Sequence, residues 1–322
     1  MATIKSTELV ACSQEIQRAA VEKLKEITGT VPHLEIVREF DAADPDRYKP
    51  TASYSAQIRN HAARIGATTR EHVVLPSSTL DSAARVREIQ KDERVTGIMP
   101  LYPFGEKDDV KRQLALRPEQ DVDDLLGLEN RAPTARAMIA MGNICLQADD
   151  PEYLAERNLN QLSRLELPEN MSAANIRIGG RGDLTGGPLI RILGSQGIEI
   201  ADDQVATYRN PQPLQNLPKS ALVFTATPVA EQIKDRDIPS GSIVVDAGFG
   251  VVNGVTYGNT EHTATEREDV LWTPPREGVG PVSTTYLMQH LIEAAADREG
   301  VAHEDLGILA PLALRETIDA PA

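Results

Sequence analysis

The chain is poor in the residues that carry redox or metal chemistry. Its only cysteines, Cys12 and Cys145, lie far apart and outside any CxxC arrangement. That excludes a disulfide framework and suits a reducing compartment, where isolated thiols behave as small apolar groups. The six histidines form no HxxxH or HxxEH pattern, so no metal site is expected. No apolar run approaches the roughly 20 residues that span a bilayer. The opening MATIKSTELVACSQEIQRAA lacks the apolar stretch of a secretory signal, and a cytoplasmic protein is expected. Positive charge is also scarce: 33 Lys and Arg against 48 Asp and Glu leave a formal charge of −15. Nucleic acids and anionic membranes would be repelled, so neither is an expected partner. An anionic small molecule would need local arginines working against this field.

The 322 residues, 41% hydrophobic and 25% charged, suffice for two ordinary globular domains. Residues 7–28 repeat apolar positions at helical spacing and stop at Gly29, which predicts an amphipathic helix. Strands are expected at 33–40, 72–76 and 95–103. Helices are expected between them, one with Pro50 near its start and Gly66 after its end, the other opened by a Ser/Thr cap at SST. This β-α-β-α-β order implies parallel strands with right-handed crossovers. In such sheets ligands gather beyond the carboxyl ends of the strands, which groups Tyr54, the 100–105 loop and the 119–125 segment. The region 129–172 reads as helical, interrupted by Pro133 and Pro151. A second α/β unit follows, with strands at 174–180, 203–208, 220–227 and 241–250, before a final helix at 281–297.

GGRGDLTGGP follows a short apolar strand and precedes an apolar helix, where a dinucleotide turn lies. Glycines permit positive φ and close backbone approach, and the helix N-terminus offers free N–H groups to a pyrophosphate. Gly180, Gly182 and Gly186 give GxGxxxG, one residue longer than the usual fingerprint, and a plain tight turn can carry the same glycines. An NAD-selective site places an acid at the end of the second strand. Here that end reads ATYRNPQ, with Arg209 and no acid, and Arg181 lies in the glycine loop. Either both arginines are solvated surface residues or they receive a ribose 2′-phosphate, which favours NADP modestly over NAD.

Several stretches together resemble one family, the methylenetetrahydrofolate dehydrogenase/methenyltetrahydrofolate cyclohydrolase (FolD) family. GGRGDLTGGPL is similar to its GRSxIVGxP loop, with Gly180, Arg181, Gly186 and Pro188 in place. GSIVVDAGFGVVNGVTYGN resembles GAVVIDVGxNxxxGxxxGD, and TPPREGVGPVSTTYL resembles TPVPGGVGPMTxAxL, keeping Gly278, Val279, Gly280 and Pro281. TGIMPLYP stands where the family has GILVQLPLP, and QDVDD where it has KDVDG. A different two-domain Rossmann oxidoreductase, shikimate-dehydrogenase-like, is the competing resemblance. The FolD resemblance implies an α/β fold of two domains with a folate cleft between them. Residues 1–138 would form an N-terminal three-layer α/β folate-binding domain, completed by a C-terminal helix and tail (285–322) packing back on it. Residues 139–284 would form a Rossmann-type dinucleotide-binding domain. It further implies a homodimer acting in one-carbon metabolism and purine biosynthesis. Tyr54 would pack on the folate ring system and Asp123 would hold the pterin edge. Gly278, Val279, Gly280 and Pro281 would lie against substrate and nicotinamide, with Gly180, Arg181, Gly182, Gly186, Pro188 and Arg209 at the cofactor.

The departures decide the expected activity. The family's cyclohydrolase lysine falls on Ile58, counted either from Tyr54 or from Gly66, and the glutamine that orients it falls on Leu101. The serine of GRS is Gly182, the histidine of the family's CHS stretch is Tyr208, and PCTPxG is reduced to APTARA, keeping Thr134. The stretch between QDVDD and APTARA is shorter than in the family. Hydride transfer from the methylene bridge needs alignment more than a protein acid or base. Opening the methenyl ring needs proton movement, which isoleucine cannot supply. We therefore expect a methylenetetrahydrofolate dehydrogenase using NADP, with NAD as the alternative, whose cyclohydrolase activity is weak or absent. The rivals are a bifunctional enzyme with His61 as substitute base, and a non-catalytic folate- or nucleotide-binding pseudoenzyme.

Overall fold

The computed structural model describes residues 5–75, 79–101, 115–128, 130–147, 165–168, 171–207, 210–227, 229–248, 250–252, 255–274 and 276–308. The chain opens with α1 (Thr7–Thr28), which Gly29 ends in a left-handed turn at φ +77°. Then follow β1 (His33–Glu39), α2 (Pro45–Ile65), β2 (Thr68–Val74), α3 (Thr79–Ile89) and β3 (Gly97–Leu101). The three strands form a parallel sheet in the order β2-β1-β3. Leu34 and Ile36 face α1 and α2, while Val37 faces α3, so helices cover the sheet on both sides. Two expectations shift. Strand β2 starts four residues before the expected HVVLP, because its exposed edge is built from polar residues that leave no apolar run. Helix α2 starts at Pro45, so Pro50 lies inside it.

Helix α4 (Pro133–Leu146) carries the chain into the second unit. There β4 (Ile176–Gly179), α5 (Gly186–Ser195), β5 (Val205–Ala206), α6 (Gln212–Gln215), β6 (Leu222–Thr225) and β7 (Ile243–Asp246) follow. A small antiparallel hairpin, β8 (Gly250–Val252) and β9 (Val255–Tyr257), precedes β10 (Leu271–Trp272). The parallel sheet is ordered β10-β7-β6-β4-β5. The chain steps outward from β4 to β5 and then crosses to β6. The topological switch therefore falls between β4 and β6, where doubly wound sheets bind nucleotides.

Helix α7 (Val279–Glu299) returns along the first unit. Its early residues Val279, Val282 and Tyr286 share a core with α4 and the second sheet. Its later residues Leu287, Leu291 and Ile292 share the core of α1, α2 and β1. One helix thus belongs to both cores, and the C-terminal helix packs back on the N-terminal part as expected. At Gly142 of α4 a side chain would come within 3.0 Å of the Phe224 ring, which keeps α4 tight on the sheet. No helix among the described residues is long and apolar enough to cross a membrane.

Candidate active site

Tyr54 stands midway along α2, half-buried, with its hydroxyl 3.5 Å from Ser283 Oγ on α7. Ser283 Oγ is in turn 2.9 Å from Thr134 Oγ1 on α4. Three helices thus converge on one chain of hydroxyls. Burial and then the nearby Asp123 carboxylate push the Tyr54 phenol up to about 12, so it is a neutral donor at any physiological pH. Asp123 sits in a turn that pairs with β3 through Ile98 and Asp121. Asp121 fixes that turn by accepting the N–H groups of Leu125 (2.9 Å) and Leu126 (2.7 Å). The structure brings Tyr54 and Asp123 within electrostatic reach of each other. Ser283 was not singled out in the sequence; its place one turn into the helix after GVGP is the signal that could have found it.

The wall beneath this chain is apolar. Ile58 is 0% exposed and Leu101 is 4% exposed, and both join a core with Ala62, Met99, Val122 and Leu291. His61 is buried too, its Nε2 2.9 Å from Gln17 Oε1, while Gln17 Nε2 donates to the Thr285 carbonyl at 2.8 Å. Burial, then Arg64, lowers its pKa to about 4. His61 therefore ties α2 to α1 and α7 with a neutral ring.

The GVGP turn is held from behind. Ser6 gives its N–H (2.7 Å) and hydroxyl (2.7 Å) to the Glu277 carbonyl, and the hydroxyl also reaches the Gly278 carbonyl at 2.9 Å. A side chain at Gly278 would come within 2.5 Å of the Pro274 carbonyl oxygen, so only glycine fits. Val279 points into the core, Pro281 is half-buried in the first turn of α7, and Gly280 has open space at its Cα.

On the other side, the 180–186 loop joins β4 to α5 at the switch point. Gly180 adopts φ +99°, and a Cβ there would come within 2.9 Å of the Ala226 carbonyl oxygen. A Cβ at Gly186 would lie 1.9 Å from the Gly180 carbonyl oxygen, which no side chain tolerates. Gly182 is exposed with nothing near its Cα, and its carbonyl accepts the Gly187 N–H at 2.9 Å. Pro188 is buried in the first turn of α5, where its missing N–H costs nothing. Arg181 meets Asp202 at 2.6 Å, both exposed, so the contact is weak and its guanidinium is available to a stronger anion. Tyr208 and Arg209 lie outside the described residues.

A polar hub supports this half. Asn259 Oδ1 accepts from Thr225 Oγ1 (2.8 Å) and Thr227 N–H (2.8 Å). Its Nδ2 donates to the carbonyls of Thr227 (2.9 Å) and Val229 (2.6 Å). Buried Asp246 accepts the N–H groups of Gly248, Asn259 and Thr260 at 2.8, 3.1 and 2.9 Å. Together they hold Thr227 and its neighbour Ala226, against which Gly180 packs.

The close backbone approach at Gly180 and Gly186, ahead of a helix N-terminus at a switch point, fits a dinucleotide phosphate. The molecule is thus a two-unit α/β protein whose second half is an NAD(P)-binding Rossmann domain. Residues 163–299 match the family model for the tetrahydrofolate dehydrogenase/cyclohydrolase NAD(P)-binding domain. The chain is 28% identical over 284 residues to the bifunctional protein FolD of Thermotoga petrophila, covering 88% of this chain and 94% of that one. It is 27% identical over 257 residues to the Thermosipho africanus protein of the same name, covering 77% and 86%. Among solved structures it resembles the Trypanosoma brucei methylenetetrahydrofolate dehydrogenase-cyclohydrolase complexed with NADP and an inhibitor. That match has a TM-score of 0.68, 19% identity, and covers 92% of this chain and 97% of that one. It also resembles the NAD-dependent methylenetetrahydrofolate dehydrogenase of Saccharomyces cerevisiae, with a TM-score of 0.61, 15% identity, and coverage of 92% and 97%. Over most of its length the chain is thus similar to FolD proteins, and residues 163–299 match that family's NAD(P)-binding domain.

Proposed function

We propose that the protein oxidises 5,10-methylenetetrahydrofolate to the 5,10-methenyl compound with NADP, NAD being the alternative, and has little or no cyclohydrolase activity. The nicotinamide, when bound, supplies the hydride acceptor. The protein's part is placement. Tyr54 stacks on the folate ring system and its donor hydroxyl is steadied by Ser283 and Thr134. Asp123 takes the pterin edge. The turn at Gly278–Pro281, pinned by Ser6, lies against both reactants, and the 180–188 loop takes the phosphates. The cation left on the substrate is stabilised by its own two flanking nitrogens, so no titrating side chain is required.

One observation carries the reading: Ile58 and Leu101, which stand where the family has its lysine and glutamine, are fully packed core residues. A paired loss leaves no orphaned polar group, whereas one unpaired partner would cost about 1–3 kcal/mol. His61, the substitute base considered above, is engaged with Gln17 and faces the α1 side of its helix. The name of the S. cerevisiae relative supplies a precedent for a dehydrogenase linked to NAD. Against it stand the absence of an acid in ATYRNPQ and the weakly held Arg181, which favour NADP. A homodimer in the cytoplasm belongs to the same reading. So does the division into 1–138 with 285–322 and 139–284, which puts the crossing inside α4. Steady-state reduction of NADP and of NAD by the purified protein with methylenetetrahydrofolate tests it. Absence of reduction with both cofactors, alongside tight binding of either, would establish the pseudoenzyme instead.

A further inference from the structure

Helix α4 is buried on almost every side and carries one charged residue, Arg136. Arg136 is 7% exposed and its Nε has no hydrogen-bond partner. Among the described residues its guanidinium makes neither a hydrogen bond nor an ion pair. Burial pulls its pKa below the usual arginine value, offset in part by Tyr286, Glu293 and Asp124, yet a guanidinium stays charged at neutral pH. The acids within electrostatic reach are already engaged. Glu293 pairs with Arg131 and accepts from Gln289 at 2.9 Å, and Asp124 accepts the Arg131 N–H at 2.8 Å. A buried cation without a partner is among the costlier things a fold can hold. Among the described residues nothing answers it.

Its surroundings belong to the folate side. Two residues earlier on α4, Thr134 bonds Ser283; one turn beyond Ser283 on α7 is Tyr286, and a further turn on is His290. His290 meets the Val122 carbonyl through Nδ1 at 3.0 Å, leaving a buried Nε2 without a partner. Val122 precedes Asp123, so Arg136 and His290 flank the turn assigned to the pterin. The cofactor phosphates have their own cradle at α5, on the other sheet.

We infer that Arg136 receives a glutamyl carboxylate of the reduced folate. This rests on the folate reading above and names a group of the substrate which that reading leaves unplaced. The pterin ring is neutral, whereas the glutamyl carboxylates carry the charge that a guanidinium fork binds through two parallel N–H···O bonds. Against a chain of net charge −15, a dianionic tail needs such a local cation.

The test titrates the full-length protein and its Arg136→Gln variant with two ligands. One is tetrahydrofolate. The other is its tetrahydropteroyl benzamide analogue, which keeps the pterin and aminobenzoyl groups and lacks both carboxylates. Removing a charge-assisted bidentate contact should weaken tetrahydrofolate about 10–100-fold and leave the benzamide within about 2-fold. Arg136→Lys should recover part of the loss. The ligand-free Arg136→Gln protein should melt no lower than wild type, since an unpaired buried cation has been removed. Equal losses for both ligands, unchanged tetrahydrofolate affinity, or a clearly lower melting temperature would each overturn the inference. Should the wild-type protein bind neither ligand, the folate reading fails with it. Binding of tetrahydrofolate by wild type and variant alike fails this inference alone.

Discussion

The surroundings of the glycine loop and of Tyr54 are built differently. Around the glycine loop, polar and steric constraints are tight: Gly186 cannot carry a side chain and every hydrogen-bonding capacity of the Asn259 amide is used. Beside Tyr54, Ile58, where the sequence resemblance expects the family's lysine, is packed with Leu101 in one apolar core. On the proposed function, the side that grips a dinucleotide for hydride transfer keeps a tight backbone cradle, while the side that would move protons for hydrolysis is lined by hydrocarbon. If the proposed function holds, the difference teaches that the two family reactions separate physically. Alignment is a property of backbone and packing, proton transfer a property of one side chain, and the second can go without the first.

The largest effect that could break this contrast is expected at Gly186. Replacing it with alanine puts a carbon 1.9 Å from the Gly180 carbonyl oxygen. The loop must open, which we expect to cost about 1–3 kcal/mol of stability and to raise the NADP dissociation constant by at least about 10²-fold. Thermal unfolding and cofactor titration check both. Retained NADP affinity in Gly186→Ala would mean that phosphates bind elsewhere.

Restoring the polar pair sharpens the comparison from the other side. Ile58→Lys alone buries an amine among apolar groups and should destabilise the protein by about 3–5 kcal/mol. Adding Leu101→Gln should recover part of that, the two changes being coupled. The double variant should also gain methenyl hydrolysis by up to about 10²–10⁴-fold, read as loss of the methenyl absorbance. If neither stability nor hydrolysis shows coupling, the two positions do not form the pair assigned to them.

At Asn259 the change to aspartate removes two donated hydrogen bonds to carbonyls and sets a second carboxyl beside buried Asp246. A loss of about 2–4 kcal/mol is expected, with weaker NADP binding and unchanged tetrahydrofolate binding. Equal weakening of both ligands would show that the hub supports the whole fold rather than one wall.

His61 gives a pH signature of the folate side. Its folded pKa of about 4 lies below the ordinary 6.5, so the unfolded chain binds more protons between these values. Its contribution is fully present above about pH 6.5 and is lost as pH falls toward 4. The total is of the order of 3 kcal/mol. Denaturant melts at pH 7.5 and 4.5 should show a slope that His61→Gln flattens; an unchanged slope would contradict its burial as a neutral ring. The smallest effect is expected for Tyr54→Phe, which keeps the aromatic ring and loses one long contact to Ser283. We expect less than about a 5-fold change in kcat/KM.

Much of the frame was legible because local physics wrote it. Gly29 and Gly66 end their helices in left-handed turns, as a glycine after an amphipathic run implies. The alternation of strand and helix gave two parallel sheets, and the glycine run marked the turn at the switch point. Where local signals ran against tertiary ones, the sequence misled. Thr68–Glu71 is strand because it pairs with β1, not because it is apolar, and α2 runs from Pro45 through Pro50 rather than starting near it. The site was legible only where a motif was continuous. Tyr54, Thr134 and Ser283 come from three helices far apart in sequence, and the isolation of Arg136 exists only once α4 is buried. No periodicity encodes either.

The most direct measurement follows the methenyl absorbance after the purified protein has consumed a limiting amount of NADP with methylenetetrahydrofolate in excess. We expect NADPH and methenyl product to form together, and the methenyl signal then to decay only at the rate of the buffer. Decay that accelerates in proportion to protein concentration would show that hydrolysis is catalysed without the lysine, and that Ile58 does not mark the loss of a reaction.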